Sequence, residues 1–355
     1  MQEPCVVASW PSVPVEIVRA AGFRPVMVRG ASGPTPAADV HLEPGIFPSR
    51  LRRLVDDVLT GRLTHAARIV IPRTSDADYK CFLYLREFVR SGVTTALAPV
   101  VLFDLLQSRG ADVPTYDAAR TRALLDDLSS ASERMPSSDD LRREIVRANA
   151  ARAAARRLVE LRRAVPRVSG SEAFPLLAAF WEMEPDGYRE MVSDAATKIA
   201  VRPPMAGPRV LLTGAPADGH TLHEAIESHG AVVVDEVSPW GNGAAGDDVR
   251  VDEDPVAALA DKYRADSIGA RTPVDALRHL THSKLDEVDA VVVSLPPDDA
   301  VFGWDYPALR DVLNARGIPH VCLRCDPYER PTPADHTALD AMVSAASRLQ
   351  EARHG

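Results

Sequence analysis

Short runs of β-branched and aliphatic residues alternate along the chain with longer segments whose apolar positions recur every three or four residues. Between Val13 and Gly110 the order is PVEIVRAAG, RPVMVRG, SRLRRLVDDVLTG, ARIVIP, DYKCFLYLREFVRSG, TTALAPV and LFDLLQSRG. Such alternation predicts βαβ units around a mainly parallel sheet. From about Thr115 to Val201 the pattern changes to long amphipathic stretches rich in Ala, Arg, Leu and Glu, which read as helices. The clearest runs from Ser138 to Ala164. Its opening SSDDLRREIV offers serine and aspartate to exposed amides and to the positive end of the helix dipole, and Pro166 marks its end. Pro203, Pro204, Gly207 and Pro208 form a linker. Strand-helix alternation then restarts with RVLLTG, HTLHEAIESHG, AVVVDEV, DAVVVSLP, YPALRDVLNARG and PHVCLRC. WGNGAAGDDVRVDED reads as a long loop over the strand ends, and ALDAMVSAASRLQEARHG as a closing helix. The expected organisation is an N-terminal α/β domain over residues 1–114, a helical section over 115–205 and a C-terminal α/β domain over 206–355. No fixed-period repeat is present, although the two α/β halves echo each other in order.

Composition narrows the function classes. The net charge of −9 is spread in mixed-sign stretches, so no basic face exists to neutralise a phosphate backbone, and nucleic acid is set aside as a partner. No apolar run approaches the roughly 20 residues of a membrane helix, and MQEPCVVASW lacks the basic-then-apolar order of a secretory leader. A cytoplasmic protein with no membrane partner is the expectation. The cysteines, at Cys5, Cys81, Cys322 and Cys325, are too few and too uneven for a disulfide framework.

Several residues carry candidate chemistry, each with a plainer structural alternative. Gly214 and Gly219 in TGAPADGH let backbone amides approach a phosphate at the start of the next helix, or simply make a βα turn. His220, His223 and His229 lie on or beside that helix and are read first as solvated surface residues, with metal ligation as the alternative. Arg50, Arg52 and Arg53 open a helix, either attracting the phosphates of a ligand or forming a solvated face. Glu16 is read as a helix cap or a pocket residue. Trp304, Asp305 and Tyr306, before Pro307, are read as packing and capping residues or as pocket lining. Ser75 with Asp76 has no histidine tied to it by a known motif, which leaves hydrolase chemistry without support. Cys322 and Cys325 have CxxC spacing, but on an ideal strand they point to opposite faces.

Three stretches together resemble one subunit of the 2-hydroxyacyl-CoA dehydratase and benzoyl-CoA reductase family. SVPVEIVRAAGFRPVMVRG is similar to its opening motif, in which proline and glutamate start a helix ending in Ala-Ala-Gly. LRREIVRANAARAAARRLVELRRAVPRVSGSEAF resembles its central helix, with Asn149 and Arg152 in an Asn-x-x-Arg step and Ser169, Gly170 and Glu172 in a Ser-Gly-x-Glu segment. The third stretch runs from RVLLTGAPADGHTLHEAIESHGAVVVDE through DPVAALADKY to DEVDAVVVSLPPDDAVFGWDYPALRDVLNARGIPHVCLRCD, and includes an Asp-Tyr-Pro-x-Leu motif at Asp305–Leu309. The resemblance implies two Rossmann-like (flavodoxin-like) parallel-sheet domains with helical elements, a site in the cleft between their strand ends, and pairing of two related subunits. It also implies a four-iron cluster held by three cysteine thiolates per subunit, which an ATP-dependent activator reduces so that an acyl-CoA can lose its β-hydroxyl through a ketyl radical.

The matching positions here carry no cysteine. EPGIFPSRLRRL places Phe47 at the first, IPRTSDADY places Ser75 at the second with Asp76 retained, and SLPPDD places Pro297 at the third. Phenylalanine and proline have no donor for iron, and serine is a poor replacement for a soft thiolate. The expectation is therefore a chain that binds no cofactor itself, with an iron-sulfur cluster on a cysteine-bearing homologous partner. Former ligand positions Phe47, Ser75 and Pro297 are expected to line the cleft, and Glu16, Arg50, Asp76, Gly214 and Trp304 to form an acyl-CoA or acyl-thioester pocket. Alternatives are self-association as a repurposed acyl-CoA-binding or scaffold protein, a metal-independent enzyme, or a new metal site from Cys81, Cys322 and Cys325. The tail DPYERPTPADHTALDAM departs from the Gly-Gln and arginine-rich segment of the family, so no role is carried over to it.

Overall fold

A computed structural model describes residues 4–43, 45–95, 97–163, 165–297, 299 and 301–354. Ala164, expected to close the long central helix, lies outside the described residues. The chain forms two compact units, each assembled from separated segments: unit 1 from residues 1–151, 180–186 and 247–267, and unit 2 from 152–179, 187–246 and 268–355. Segments 115–205 and 206–355, read from sequence as a helical section and a C-terminal domain, thus both supply residues to both units.

Unit 1 is built on β1 (Cys5–Ala8), α1 (Val15–Ala20), β2 (Arg24–Met27), α2 (Pro36–Asp39), α3 (Ser49–Leu59), β3 (Ala66–Pro72), α4 (Asp76–Arg90), β4 (Val100–Phe103) and α5 (Val113–Ser132). Its four strands are all parallel, in the order β2-β1-β3-β4. The sequence reading began the alternation at Val13 and so missed β1, the strand that pairs with both β2 and β3. With four residues, all buried, it is too short to show a period. LFDLLQSRG also behaves differently from a helix. Leu102 and Phe103 finish β4, and residues 104–107 then have no regular structure, with the Leu106 amide donating to Asp117 of α5 at 2.8 Å.

Helix α6 (Ser138–Arg163) contributes its first part to unit 1 and the remainder to unit 2. Ser137 and Asp140 cap each other's amides at its start, at 2.8 and 3.2 Å. Leu141, Ile145, Ala148, Arg152, Ala155, Val159 and Arg162 make one buried stripe at helical spacing.

Unit 2 adds α7 (Gly170–Ala178), α8 (Pro185–Ala200), β5 (Arg209–Gly214), α9 (Thr221–Glu227), β6 (Val232–Glu236), α11 (Val274–His282), β7 (Ala290–Leu295), α12 (Tyr306–Arg316), β8 (His320–Arg324) and α13 (Pro333–His354); α10 (Pro255–Ala265) belongs to unit 1. The sheet repeats the first in order, β6-β5-β7-β8, again all parallel. Helices cover both faces, with Val210, Val233, Val292, Leu323 and Cys325 in one core layer and Leu211, Val232, Val291, Val293 and Cys322 in the other. Both-face burial is why these strands are near-continuous aliphatic runs without alternation. The α/β class with two parallel sheets is therefore the observed one. No helix among the described residues is long and apolar enough to cross a membrane.

Gly214 sits where β5 turns away from the sheet, at φ +103°, and a Cβ there would collide with the Ser294 carbonyl oxygen of β7. That carbonyl accepts the Ala215 amide at 2.8 Å, so strand and turn must approach this closely. Gly214→Ala is expected to destabilise the protein by at least about 2 kcal/mol in urea unfolding, from left-handed strain and the clash. Gly219→Ala, in the same turn with open space around it, is expected to shift stability by no more than about 0.5 kcal/mol.

Candidate functional site

In doubly wound sheets of order 2-1-3-4 the chain leaves the first and third strands in opposite directions, opening a crevice at their carboxyl ends. In unit 1 that place is bounded by Ser9 and Trp10 after β1 and by Thr74 and Ser75 after β3. Arg50, in the first turn of α3, reaches it from the side. Its guanidinium forms an ion pair with Asp78 at 2.7 Å, donates to the Ser9 carbonyl at 3.2 Å and stacks 4.7 Å from the Trp10 ring centre. Both charges are buried, Asp78 completely. Asp78 also accepts from the Thr74 and Ser75 hydroxyls at 2.7 and 2.8 Å, while Ser75, the N-cap of α4, accepts the Asp78 amide at 3.1 Å. This closed ring of polar contacts ties β1, α3, β3 and α4 together.

The expected site residues divide sharply. Phe47 is buried in the unit 1 core, edge-on to Tyr84 at 5.5 Å between ring centres. Ser75 is the helix cap just described. Pro297 is exposed in the turn after β7, in the other unit. Asp76 is exposed at the start of α4. Glu16 is fully buried and does not cap α1: Tyr263 of α10 donates to its carboxylate at 2.8 Å and takes the Val15 amide at 3.2 Å in its place. Arg50 is no solvated residue, because its guanidinium is enclosed by Asp78, Ser9 and Trp10. Trp304, read as a packing residue, is 85% exposed on a short 3-10 turn, and neighbouring Asp305 pairs with Arg278 instead of capping α12.

Of the three positions read from the resemblance as former ligand positions, two side chains, Phe47 and Pro297, have no donor atom, and the hydroxyl of the third, Ser75, is committed to Asp78. This donor set does not fit a thiolate-held cluster. The remaining cysteines are ordinary core thiols. Cys81 is inaccessible, and burial, reinforced by Asp78, pushes its thiol up to about 12. Cys322 and Cys325 belong to opposite core layers of unit 2, and burial, with Asp335 and Asp326, pushes Cys325 up to about 11. Among the described residues no group of three or more His, Cys, Asp or Glu is placed to hold a metal ion.

The corresponding place in unit 2, beside β5 and β7, holds a pocket of about 20 Å³, lined in part by Thr213, His223, Glu236 and Ser294. That is room for about one water. Glu236, the last residue of β6, is sandwiched between Arg162 at 2.6 Å and His223 Nε2 at 3.2 Å; Arg162 also donates to the Val233 carbonyl at 2.7 Å. His223 was expected on the surface, but it shares the buried face of α9 with Leu222, Ala225 and Ile226. Gly170 is required beside it: a Cβ would lie 2.8 Å from both the His223 ring and Val233. Asp235, next along β6, is countered by Arg163 and Lys284, each at 2.9 Å. Sequence reasoning passed over both acids. The available signal was a VVVDE strand end together with an Arg162-Arg163 pair closing α6.

Asn149 clamps the loop before α10 by exchanging both amide hydrogen bonds with Val249, at 2.8 and 2.9 Å, and Ser169 caps α7 by accepting the Glu172 amide at 3.1 Å. Asn149 and Ser169, two of the motif residues, thus hold local structure.

These features define a doubly wound α/β protein with two parallel sheets of the same strand order. The sequence matches the family described as 2-hydroxyglutaryl-CoA dehydratase, D-component, over residues 12–341, and the chain belongs to that family. A search of the curated proteins gave no match.

Burial alone would push the Glu236 carboxyl up, but the positive charge of Arg162, then the electrostatic interaction with His223, and the hydrogen bonds to both hold it at about 2 against an ordinary 4.5. A carboxyl with a depressed folded-state pKa gives stability that is complete above its unfolded value and disappears as pH falls through the folded one. Glu236→Gln is expected to cost about 3–5 kcal/mol at neutral pH, because Arg162 stays buried without a counter-charge. In denaturant titrations the gap between wild type and variant is expected to narrow as pH falls from about 4.5 towards about 2; a pH-independent gap contradicts this assignment.

Proposed function

We propose that this chain is a subunit of a 2-hydroxyacyl-CoA dehydratase-type enzyme that holds no iron-sulfur cluster of its own. It pairs with a homologous cysteine-bearing subunit and helps to shape an acyl-CoA or acyl-thioester pocket. One observation carries the reading: Ser75, the single side chain with a donor atom among the three former ligand positions, has its hydroxyl bonded to Asp78, whose charge Arg50 already balances. The family match supports the reaction class.

In this reading the cluster, on the partner, supplies the electron to the acyl thioester. This chain supplies structure and surface. Arg50 and Asp78 fix the ends of β1 and β3, and Glu16 fixes α1 through Tyr263. Asp76 and Trp304 are the expected site residues with charged or aromatic side chains left exposed, so they are the ones available to ligand or partner. A cytoplasmic location goes with this reading, since such clusters need a reducing compartment.

Co-purification of the tagged chain from its native host, with mass determination of what is retained, tests the proposal. A one-to-one complex with a homologue bearing all three cysteines is expected. Trp304→Ala is expected to weaken that complex about tenfold without changing thermal unfolding, as for an exposed aromatic anchor. A stable homodimer that binds acyl-CoA and retains no homologue would replace this reading with that of a repurposed binding protein.

A further inference from the structure

Unit 1 contains a cavity away from the carboxyl edge of its sheet. It has a volume of about 520 Å³, within the range of small-molecule sites. Pro4, just before β1, and Arg24, the first residue of β2, place it at the amino ends of the strands.

Its wall carries five arginines, Arg19, Arg24, Arg134, Arg143 and Arg147, against three carboxylates, a surplus of two positive charges. The paired charges can be assigned. Arg143 pairs with Asp140, Arg147 with Glu144 at 2.7 Å, and Arg19 with Glu184 at 3.9 Å. Arg24 and Arg134, both exposed, form no side-chain ion pair or hydrogen bond among the described residues. They are the surplus. Two atoms of the wall residues are also buried without a hydrogen-bond partner, Arg19 Nε, a donor, and Glu144 Oε2, an acceptor. Arg19 Nη2 donates to the Met183 carbonyl at 2.6 Å and the Phe180 carbonyl at 3.3 Å, while Nε lies 3.9 Å from the Glu184 carboxylate, beyond hydrogen-bond distance, so this N–H is a specific unmet donor. Buried groups of this kind cost free energy until something satisfies them.

Two unmatched guanidiniums call for an anion with several acceptor oxygens, and phosphate suits the arginine fork best. An unmet donor and an unmet acceptor on the wall of one cavity call for a group that can do both, which a hydroxyl does. We infer that this cavity binds a phosphorylated, hydroxyl-bearing small molecule of nucleotide size, its phosphates on Arg24 and Arg134 and a hydroxyl between Arg19 and Glu144. The inference goes beyond the subunit reading and does not depend on it. The nucleotide could be free or the nucleotide end of a CoA thioester, since both present the same chemistry.

Isothermal titration of the full-length chain with ADP is expected to show one saturable site that pyrophosphate competes for and added salt weakens. In the Arg24→Ala/Arg134→Ala variant the affinity is expected to fall at least about tenfold, the loss of a charge-assisted contact. Both side chains are exposed, and unchanged circular dichroism and thermal unfolding will show that the variant is folded. CoA that displaces ADP identifies the thioester's nucleotide end as the occupant, whereas CoA that binds without displacing it identifies a free nucleotide. Absence of saturable ADP and pyrophosphate binding, or ADP binding unchanged in the double variant, overturns the inference.

Discussion

A guanidinium removed from water has to be matched by a carboxylate and by acceptors in the right directions, and in unit 1 the match of Arg50 with Asp78 decides what the carboxyl edge of the sheet can be. Asp78 takes hydroxyls from Thr74 and Ser75, Arg50 takes the Ser9 carbonyl, and the Trp10 ring covers the pair. Each contact satisfies a polar group that burial would otherwise penalise by about 1–3 kcal/mol. Breaking one leaves another exposed to that penalty. The result is a closed floor made of residues that follow two strands and residues of two helices, at the position where doubly wound folds place their ligands.

Unit 2 solves the same problem with different elements. Its buried guanidinium, Arg162, comes from the end of α6, and its carboxylate, Glu236, from the end of β6. His223 and Gly170 complete the enclosure, leaving space for about one water. Like topology in the two sheets thus leads to like electrostatics at their carboxyl edges, although no residue of one arrangement corresponds in type and position to the other. In both places charged side chains that sequence alone would put at the surface are structural.

Fold class was readable because strands buried on both faces are near-continuous aliphatic runs, and ARIVIP, AVVVDEV and DAVVVSLP could be little else. The start of α6 was readable from serine and aspartate spacing. By contrast β1 was hidden, because four residues show no period and their role as a central strand depends on pairing with β2 and β3 far along the chain. The discontinuous units were hidden for the same reason. Charged residues were the hardest: Arg50, Asp78, Glu16 and Glu236 look solvated one at a time and become core residues only when their partners are brought to them, 28 residues away for Arg50 and Asp78 and 247 for Glu16 and Tyr263. Trp304 failed in the opposite sense, being apolar by type and exposed in place.

The family to which the chain belongs is shown by nearly its whole length, while its proposed role turns on whether the closed polar floor of unit 1 excludes a thiolate-held cluster. Anaerobic reconstitution of the isolated chain with iron and sulfide, followed by iron and acid-labile sulfide analysis and electron paramagnetic resonance of the reduced sample, tests that most directly. We expect only traces of iron and no cluster signal. Stoichiometric iron and sulfide with a cluster spectrum, lost on substitution of Cys81, Cys322 or Cys325, would contradict the account.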